Sequence, residues 1–221
     1  MTEFPVIQIK GHSWQLLPEK AVYWLDRHIL ILSDIHLGKA GHFRKSGIPA
    51  PESITQKNLV RIGSLIEQYQ PETVLILGDL FHSDANREWF LFETWLDSFP
   101  GITFKLVSGN HDSLHTSFYE AARIEVSHHW EKDSFIFVHN PADVQPAGQK
   151  QVLVAGHIHP CIILRGKGRQ SLRLPCFLFS DDRVLFPAFG EFTGHHAIKP
   201  KETDRVFVAV EGNVMEIINQ T

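Results

Sequence analysis

Residues 28–36 read HILILSDIH and residues 73–79 read TVLILGD. Each stretch contains a compact apolar run of strand length that ends close to an Asp. Three later apolar runs lead in the same way to an Asn or a His: Ile102–Val107, Phe135–Val138 and Val152–Ala155. Between the earlier runs, Pro51–Tyr69 and Asn86–Phe99 carry apolar residues near helical spacing. Strands that alternate with helices predict an α/β sheet.

The two ends of the chain read mainly as strands. Val6–Lys10 and Trp14–Leu17 alternate in the manner of edge strands. Beyond residue 150, further strand-like runs follow one another: Ile162–Leu164, Leu172–Phe179, Arg183–Phe186, Val206–Val210 and Val214–Ile218. Gly and Pro are scattered, and no repeat or linker-like stretch divides the chain. We therefore predict one domain over residues 1–221, with much β structure toward its C-terminal end.

Composition narrows the possible functions. Of 221 residues, 43% are hydrophobic, and 21 Lys and Arg stand against 25 Asp and Glu, a formal charge of −4. This balance argues against a protein that wraps nucleic acid over its whole surface, so contact with DNA must come from local basic patches. No apolar run reaches the about 18 residues that span a bilayer, and the N-terminal residues do not read as a secretory signal. A cytoplasmic enzyme without membrane contact is expected.

Polar side chains follow the predicted strands where each strand ends. They are Asp34, His36, Asp79, Asn110, His111, His139, His157 and His159. In open α/β sheets, ligands bind at the carboxyl ends of the strands. Each residue alone is a weak signal, but five such strand ends in one chain are hard to explain without a shared site.

These residue types are typical ligands of a pair of divalent metal ions. In an extended D-x-H segment, Asp34 and His36 point the same way and can reach one ion. The Asp79 carboxylate has two oxygens and can bridge ions about 3.5–4 Å apart. Imidazole and carboxylate ligands without thiolate favour manganese, iron or zinc over magnesium, calcium or copper(I). We predict two divalent cations, manganese first, with iron and zinc as alternatives.

The ordered set D-x-H, G-D, G-N-H-D, H and G-H-x-H is similar to that of the calcineurin-like metallophosphoesterase superfamily. The resemblance implies a four-layer αββα sandwich and metal-assisted hydrolysis of a phosphodiester. It assigns one metal ion to Asp34, His36, Asp79 and His159, and the other to Asp79, Asn110, His139 and His157. It also implies that His111 protonates or stabilises the leaving oxygen and that Asp112 orients His111.

A closer resemblance covers nearly the entire chain. It rests on five segments: Asp34–Arg44 (DIHLGKAGHFR), Gly78–Ser83 (GDLFHS), Gly156–Pro160 (GHIHP), Leu172–Phe177 (LRLPCF) and Pro187–Gly194 (PAFGEFTG). These segments look like those of the ligase-associated DNA damage response endonucleases, the PdeM-like branch of the superfamily. The resemblance implies a DNA endonuclease that acts in bacterial repair beside an ATP-dependent DNA ligase and a helicase.

Several residues near these motifs have two interpretations each. His82 either touches the phosphate or positions His111, or it has only a structural role. Lys39 and Arg44 follow the first ligand loop, and they either contact a DNA backbone or belong to a solvated basic loop. A second basic cluster, spread over residues 165–173, follows the G-H-I-H motif.

Other activities remain open at this stage. A small-molecule or cyclic-nucleotide phosphodiesterase would use the same dimetal site, and added DNA would then not compete with its substrate. A metallo-amidohydrolase has H-x-H after its first strand, whereas this chain has D-x-H and too few helical units for a barrel. A non-catalytic scaffold is disfavoured because every expected ligand position is filled.

Overall fold

The structure is a computed structural model that describes residues 4–39, 41, 43, 47, 53–82, 87–144, 151–166, 168, 170–191 and 193–217. The helices with defined bounds in these ranges are α1 (Ile54–Tyr69), α2 (Arg87–Leu96) and α3 (Thr116–Ala121), with a short 3-10 helix at Leu25–Arg27. Within the described ranges, none of the helices combines the length and the apolar character needed to cross a lipid bilayer.

The first sheet contains seven strands that follow one another in chain order. They are β1 (Val6–Ile9), β2 (His12–Leu17), β3 (Ala21–Trp24), β4 (Ile29–Leu32), β5 (Thr73–Leu77), β6 (Thr103–Val107) and β7 (Ile124–Ser127). β1 to β4 pair as antiparallel neighbours, whereas β4 to β7 are parallel. Parallel neighbours need a crossover between them, and α1, α2 and α3 lie in these three crossovers.

The second sheet is built from strands that follow β7 in the described part of the chain. Its strands are β8 (His129–Lys132), β9 (Phe135–Val138), β10 (Val152–Ala155), β11 (Pro160–Arg165), β12 (Ser171–Phe179), β13 (Arg183–Leu185), β14 (His196–Ala197), β15 (Arg205–Val210) and β16 (Asn213–Ile217). The order is β14-β11-β12-β13-β10-β9-β8, with β15 paired to β12 and β16 paired to β15. β9, β10 and β13 are parallel to one another.

The two sheets pack face to face through an aromatic core. The rings of Trp14 and Trp24 in the first sheet lie 4.8 Å and 5.1 Å from the Phe135 ring in the second. All three side chains are fully buried, and each stabilises the fold by about 1.5–3 kcal/mol or more through burial. β4, β9 and β10 are buried at every position, which is the pattern of strands covered on both faces.

The helices cover the other face of the first sheet. α1 buries Leu59, Ile62 and Ile66, whose spacing puts them on one helical stripe. α2 buries Trp89 and Phe92 against the same cluster. This packing holds the loops after β4, β5 and β6 at one edge of the first sheet.

The predicted α/β class and the packed pair of sheets are confirmed, with differences in detail. α2 ends at Leu96 rather than at Phe99, and the sequence did not predict α3. In the described part of the chain, every helix precedes Ala122, so the helical layer lies on the first sheet. The outer face of the second sheet is covered instead by side chains from irregular segments, among them Val144, Ile158 and Ile198.

Candidate metal centre

The predicted metal ligands follow strands whose carboxyl ends meet where the two sheets come together. Asp34, Asp79 and Asn110 follow β4, β5 and β6 of the first sheet, and His139 and His157 follow β9 and β10 of the second. His157 N donates a hydrogen bond of 3.0 Å to Asp34 Oδ2, which joins the two sheets at this edge. The strand order therefore gathers residues that lie more than a hundred positions apart in the sequence.

The backbone at this edge turns sharply, and the extended D-x-H conformation expected from the sequence is wrong. Asp34 and His36 have φ angles of 52° and 51°, in the left-handed region that most residues avoid. Three other predicted ligands share this region: Asp79, His157 and His159. Backbone hydrogen bonds hold the turn, since Asp34 N donates to Gly78 O at 3.2 Å and His36 N donates to Asp79 O at 2.8 Å. Strain that the surroundings maintain in this way is typical of functional sites.

One group of candidate ligands contains Asp34, His36 and His159. Their ligand atoms all lie within 4.8 Å of one another. Asp34 Oδ1 and His159 Nε2 are 3.0 Å apart, yet neither atom has a hydrogen-bond partner among the described residues, and the same holds for both ring nitrogens of His36. Two ligands of one ion, each about 2.1 Å from it, stand about 3 Å apart when they are at right angles.

The second group forms around His139. Its Nδ1 lies 2.9 Å from Leu77 O, and a carbonyl oxygen only accepts, so a neutral ring donates from Nδ1 and keeps a lone pair on Nε2. That Nε2 atom lies 3.0 Å from Asn110 Oδ1, 3.4 Å from Asp79 Oδ1 and 3.1 Å from His157 Nδ1. A lone pair that faces two acceptor oxygens at these distances is the arrangement that a cation stabilises.

Asp79 lies between the two groups. Its Oδ1 faces His139, and its Oδ2 lies 3.6 Å from His36 Nε2. Asp34 is also close to both groups, because its ligand atom, that of Asp79 and that of His139 lie within 4.8 Å of one another. The donor set consists of imidazole nitrogens and carboxylate or amide oxygens, and it fits two divalent cations that share the Asp79 carboxylate.

The electrostatic environment favours the neutral form of two ligand imidazoles, those of His36 and His157. Burial lowers the pKa of His36 to about 2, and the charge of Lys39 adds to this effect. Burial also lowers the pKa of His157, with the neighbouring His139 ring as the next cause. At His159, in contrast, the effect of burial is outweighed by the Asp34 carboxylate, which raises the pKa of that ring. Only a neutral imidazole has the lone pair that binds a metal ion, so His36 and His157 can bind cations at neutral pH.

Gly156 allows the second sheet to approach Asp34. A Cβ atom at this position would overlap the Ser33 hydroxyl, which donates to Asp34, and would lie 2.5 Å from Asp34 Oδ2 itself. We expect Gly156→Ala to push the carboxylate out of the cluster and to weaken Mn²⁺ binding by about tenfold or more, as measured by titration calorimetry. Gly101→Ala is the matched control, because no atom lies within 4 Å of the position of its Cβ. Equal affinity in the two variants would contradict this role for Gly156.

His111 lies at the mouth of the cluster. Its side chain is 43% exposed, and its Nε2 lies 4.0 Å from Asp79 Oδ2. Its backbone N donates to Asp79 Oδ1 at 2.9 Å, which ties the Asn110 loop to the shared carboxylate. The ring of His82 packs against the His111 ring with 4.2 Å between centroids. His111 is therefore open to a substrate, and His82 is in position to orient it.

Asp112 has other partners than the expected His111 ring. Its Oδ2 accepts from Gly109 N at 2.8 Å and its Oδ1 accepts from Phe81 N at 3.1 Å. Burial raises the pKa of Asp112 to about 6 in spite of these two hydrogen bonds. The carboxylate thus braces the loops after β5 and β6 against each other through backbone N–H groups of both loops.

The two predicted substrate contacts have different outcomes. Lys39 is half-buried beside the first group of ligands, where burial lowers its pKa and the charges of Asp79 and Asp34 partly restore it. Arg44 lies outside the described residues. In the second basic cluster, Arg165 and Arg173 are exposed, whereas residues 167 and 169 lie outside the described part of the chain.

Some supporting groups were not found by sequence reasoning. The carbonyl oxygen of Gly194 lies 3.0 Å from His159 Nδ1 and so leaves Nε2 of that ring for a metal ion. Leu77 O does the same for His139. The Ser33 hydroxyl donates to Asp34 Oδ2. The position of a backbone carbonyl cannot be predicted from residue types. Of these groups, only Ser33 could have been found in the sequence, because it is next to the D-x-H motif.

Two packed sheets with an imidazole and carboxylate cluster at their strand ends are the arrangement expected of a metallophosphoesterase. The sequence agrees, since the model of the calcineurin-like phosphoesterase family matches residues 27–186. The chain belongs to this family and is a metal-dependent hydrolase of phosphate esters.

Solved structures give a more specific similarity. The nuclease MPE of Pseudomonas putida is 33% identical to this chain, with a TM-score of 0.82, over 97% of this chain and 100% of the nuclease. Yfce, a phosphoesterase from E. coli, is 14% identical with a TM-score of 0.46, over 86% of this chain and 98% of its own. No curated protein has a matching sequence.

Proposed function

We propose that this protein is a manganese-dependent DNA endonuclease that acts in the cytoplasm in DNA repair, together with an ATP-dependent DNA ligase and a helicase. The observation that carries the proposal is the similarity to the P. putida nuclease, which extends over 97% of this chain with a TM-score of 0.82. The proposed association with the ligase and the helicase rests on the motif resemblance.

The residues of the site have different roles in phosphodiester hydrolysis. The carboxylates, the imidazoles and Asn110 would hold the two cations, which when bound would supply Lewis-acid stabilisation of charge on the phosphate. His111 reaches out of the cluster and gives a proton to the leaving oxygen. His82 holds the His111 ring in place. Lys39 adds a positive charge beside the phosphate position and helps to bind the DNA backbone.

A cleavage assay on labelled single-stranded DNA with added Mn²⁺ tests the proposal. Linear and circular substrates are compared, each with wild type and with Asp79→Asn. If wild type cleaves the circle and Asp79→Asn does not, the protein is an endonuclease. If wild type cleaves the linear strand but not the circle, it is an exonuclease. If neither DNA is cleaved while bis(p-nitrophenyl) phosphate is still hydrolysed, the DNA proposal is overturned in favour of a small-molecule phosphodiesterase.

Lys39 gives a second prediction about DNA. We expect Lys39→Ala to raise KM for DNA by about threefold to tenfold with little change in kcat, because a phosphate contact is a binding interaction. The dependence of KM on salt concentration should also become shallower. Lys57→Ala, on the exposed face of α1, is the matched control. A fall in kcat with KM unchanged would assign Lys39 to the chemistry instead.

A further inference from the structure

A cleft of about 730 Å³ opens beside the second group of candidate ligands. Asn110, His139 and His157 form one end of it, and the remaining walls come from the end of β6, α3, the end of β7 and the loop after β9. Sites for small molecules and cofactors have volumes of about 300–1,000 Å³. A phosphate held at the metal cluster would therefore have room for one bulky substituent on this side.

The lining of the cleft does not suit a second phosphate. Among the described residues that line it there is no Lys or Arg, and Asp112 and Asp143 contribute carboxylates. Leu114 and Val126 provide an apolar wall, whereas Ser127 and His128 provide hydroxyl and imidazole groups. An apolar wall with a few polar groups suits a flat, neutral molecule with hydrogen-bonding edges, such as a nucleobase.

Tyr119 gives independent support for a ligand in this cleft. It lies on α3 among the lining residues, and its side chain is only 2% exposed. Its hydroxyl has no hydrogen-bond partner among the described residues. A buried hydroxyl without a partner costs about 1–3 kcal/mol, and a ligand in the cleft would remove this cost by drawing the Tyr119 side chain toward its own donor or acceptor.

We propose that the cleft is a subsite for one nucleoside of the substrate, with its base against Leu114 and Val126 and its polar edge toward Tyr119, Ser127 and Asp143. This inference rests on the proposed nuclease function and makes it more specific. Lys39 then contacts the phosphate of the substrate beside the first group of ligands. The cleft binds the base beside the second group of ligands. The subsite explains how a site that binds phosphate also recognises the nucleoside next to it.

Two p-nitrophenyl esters distinguish binding in the subsite from hydrolysis at the metal centre. The ester of thymidine 5′-phosphate carries a nucleoside, whereas methyl p-nitrophenyl phosphate has no group large enough to fill the cleft. We expect Ser127→Phe to lower kcat/KM for the thymidine ester by about tenfold or more while the methyl ester is hydrolysed as by wild type. Tyr119→Phe should lower kcat/KM for the thymidine ester by about twofold to tenfold. Ser64→Phe, exposed on α1, is the matched control.

The possible outcomes distinguish the two proposals. Equal hydrolysis of the thymidine ester by wild type, Ser127→Phe and Tyr119→Phe overturns the subsite and leaves the nuclease proposal standing. A parallel loss on both esters in Ser127→Phe means a general disturbance of the fold, and the Tyr119→Phe result then decides. If wild type hydrolyses the methyl ester but neither the thymidine ester nor DNA, the proposed nuclease function itself is wrong.

Discussion

Asp79→Asn abolishes hydrolysis and the binding of the second cation together. In wild type, Oδ1 of Asp79 faces His139 Nε2 at 3.4 Å and Oδ2 faces His36 Nε2 at 3.6 Å, so one carboxylate serves both groups of ligands. The amide of Asn replaces one of these oxygens with a donor that cannot bind a cation, and it removes a negative charge from the centre of the cluster. We expect kcat to fall by at least about 10³-fold, since the loss amounts to several kcal/mol of charge stabilisation.

The measurement combines metal content with activity. Mass spectrometry of the intact protein with Mn²⁺, or elemental analysis after gel filtration, should give two ions per chain for wild type and at most one for Asp79→Asn. Asp97→Asn is the control, because Asp97 is exposed, pairs with Arg123 at 2.7 Å and belongs to neither group of candidate ligands. If Asp79→Asn retained two ions and lost only activity, the bridging role would be wrong.

The sequence predicts the parts of this site that depend on strand order. Short apolar runs that end in Asp, Asn or His predicted where β4, β5, β6, β9 and β10 end. Parallel strands place those ends at one edge whatever the exact backbone angles are. For this reason the seven expected ligands come together even though the D-x-H segment is not extended.

The parts that depend on local backbone and on carbonyl groups could not be predicted. The left-handed φ angles of Asp34 and His36 arise from hydrogen bonds with the Gly78–Asp79 loop, which lies more than forty positions later. Asp112 is adjacent to His111 in sequence, yet its carboxylate accepts from Gly109 N and Phe81 N. Such partners are chosen by tertiary packing, and no pattern of residue types records them.

The cleft is also invisible in the sequence. Its walls combine the apolar Leu114 and Val126 with Tyr119, which lies on α3, a helix that the sequence did not predict. Only the burial of a hydroxyl without a partner distinguishes Tyr119 from a packed aromatic side chain. A buried hydroxyl without a hydrogen-bond partner can be recognised only in the structure, and it indicates a candidate function that residue types alone do not indicate.

His111→Ala lowers kcat for DNA by about 10²–10⁴-fold while both cations remain bound. The His111 ring stands outside the two ligand groups, with its Nε2 4.0 Å from Asp79 Oδ2. The contact that does reach the cluster comes from the backbone, since His111 N donates to Asp79 Oδ1 at 2.9 Å, and an Ala at this position keeps that N–H. Loss of the side chain therefore removes a proton donor and leaves the metal site intact.

Two substrates with different leaving groups show whether His111 donates a proton or only maintains the shape of the site. A DNA strand leaves as a strongly basic alkoxide that needs a proton, whereas p-nitrophenolate is a stable anion that leaves without one. We expect His111→Ala to lose far more activity on DNA than on methyl p-nitrophenyl phosphate, and His82→Ala to show the same preference more weakly, because its ring packs 4.2 Å from the His111 ring. An equal loss on both substrates, or loss of metal from His111→Ala, would show that His111 holds the site together and does not protonate the leaving oxygen.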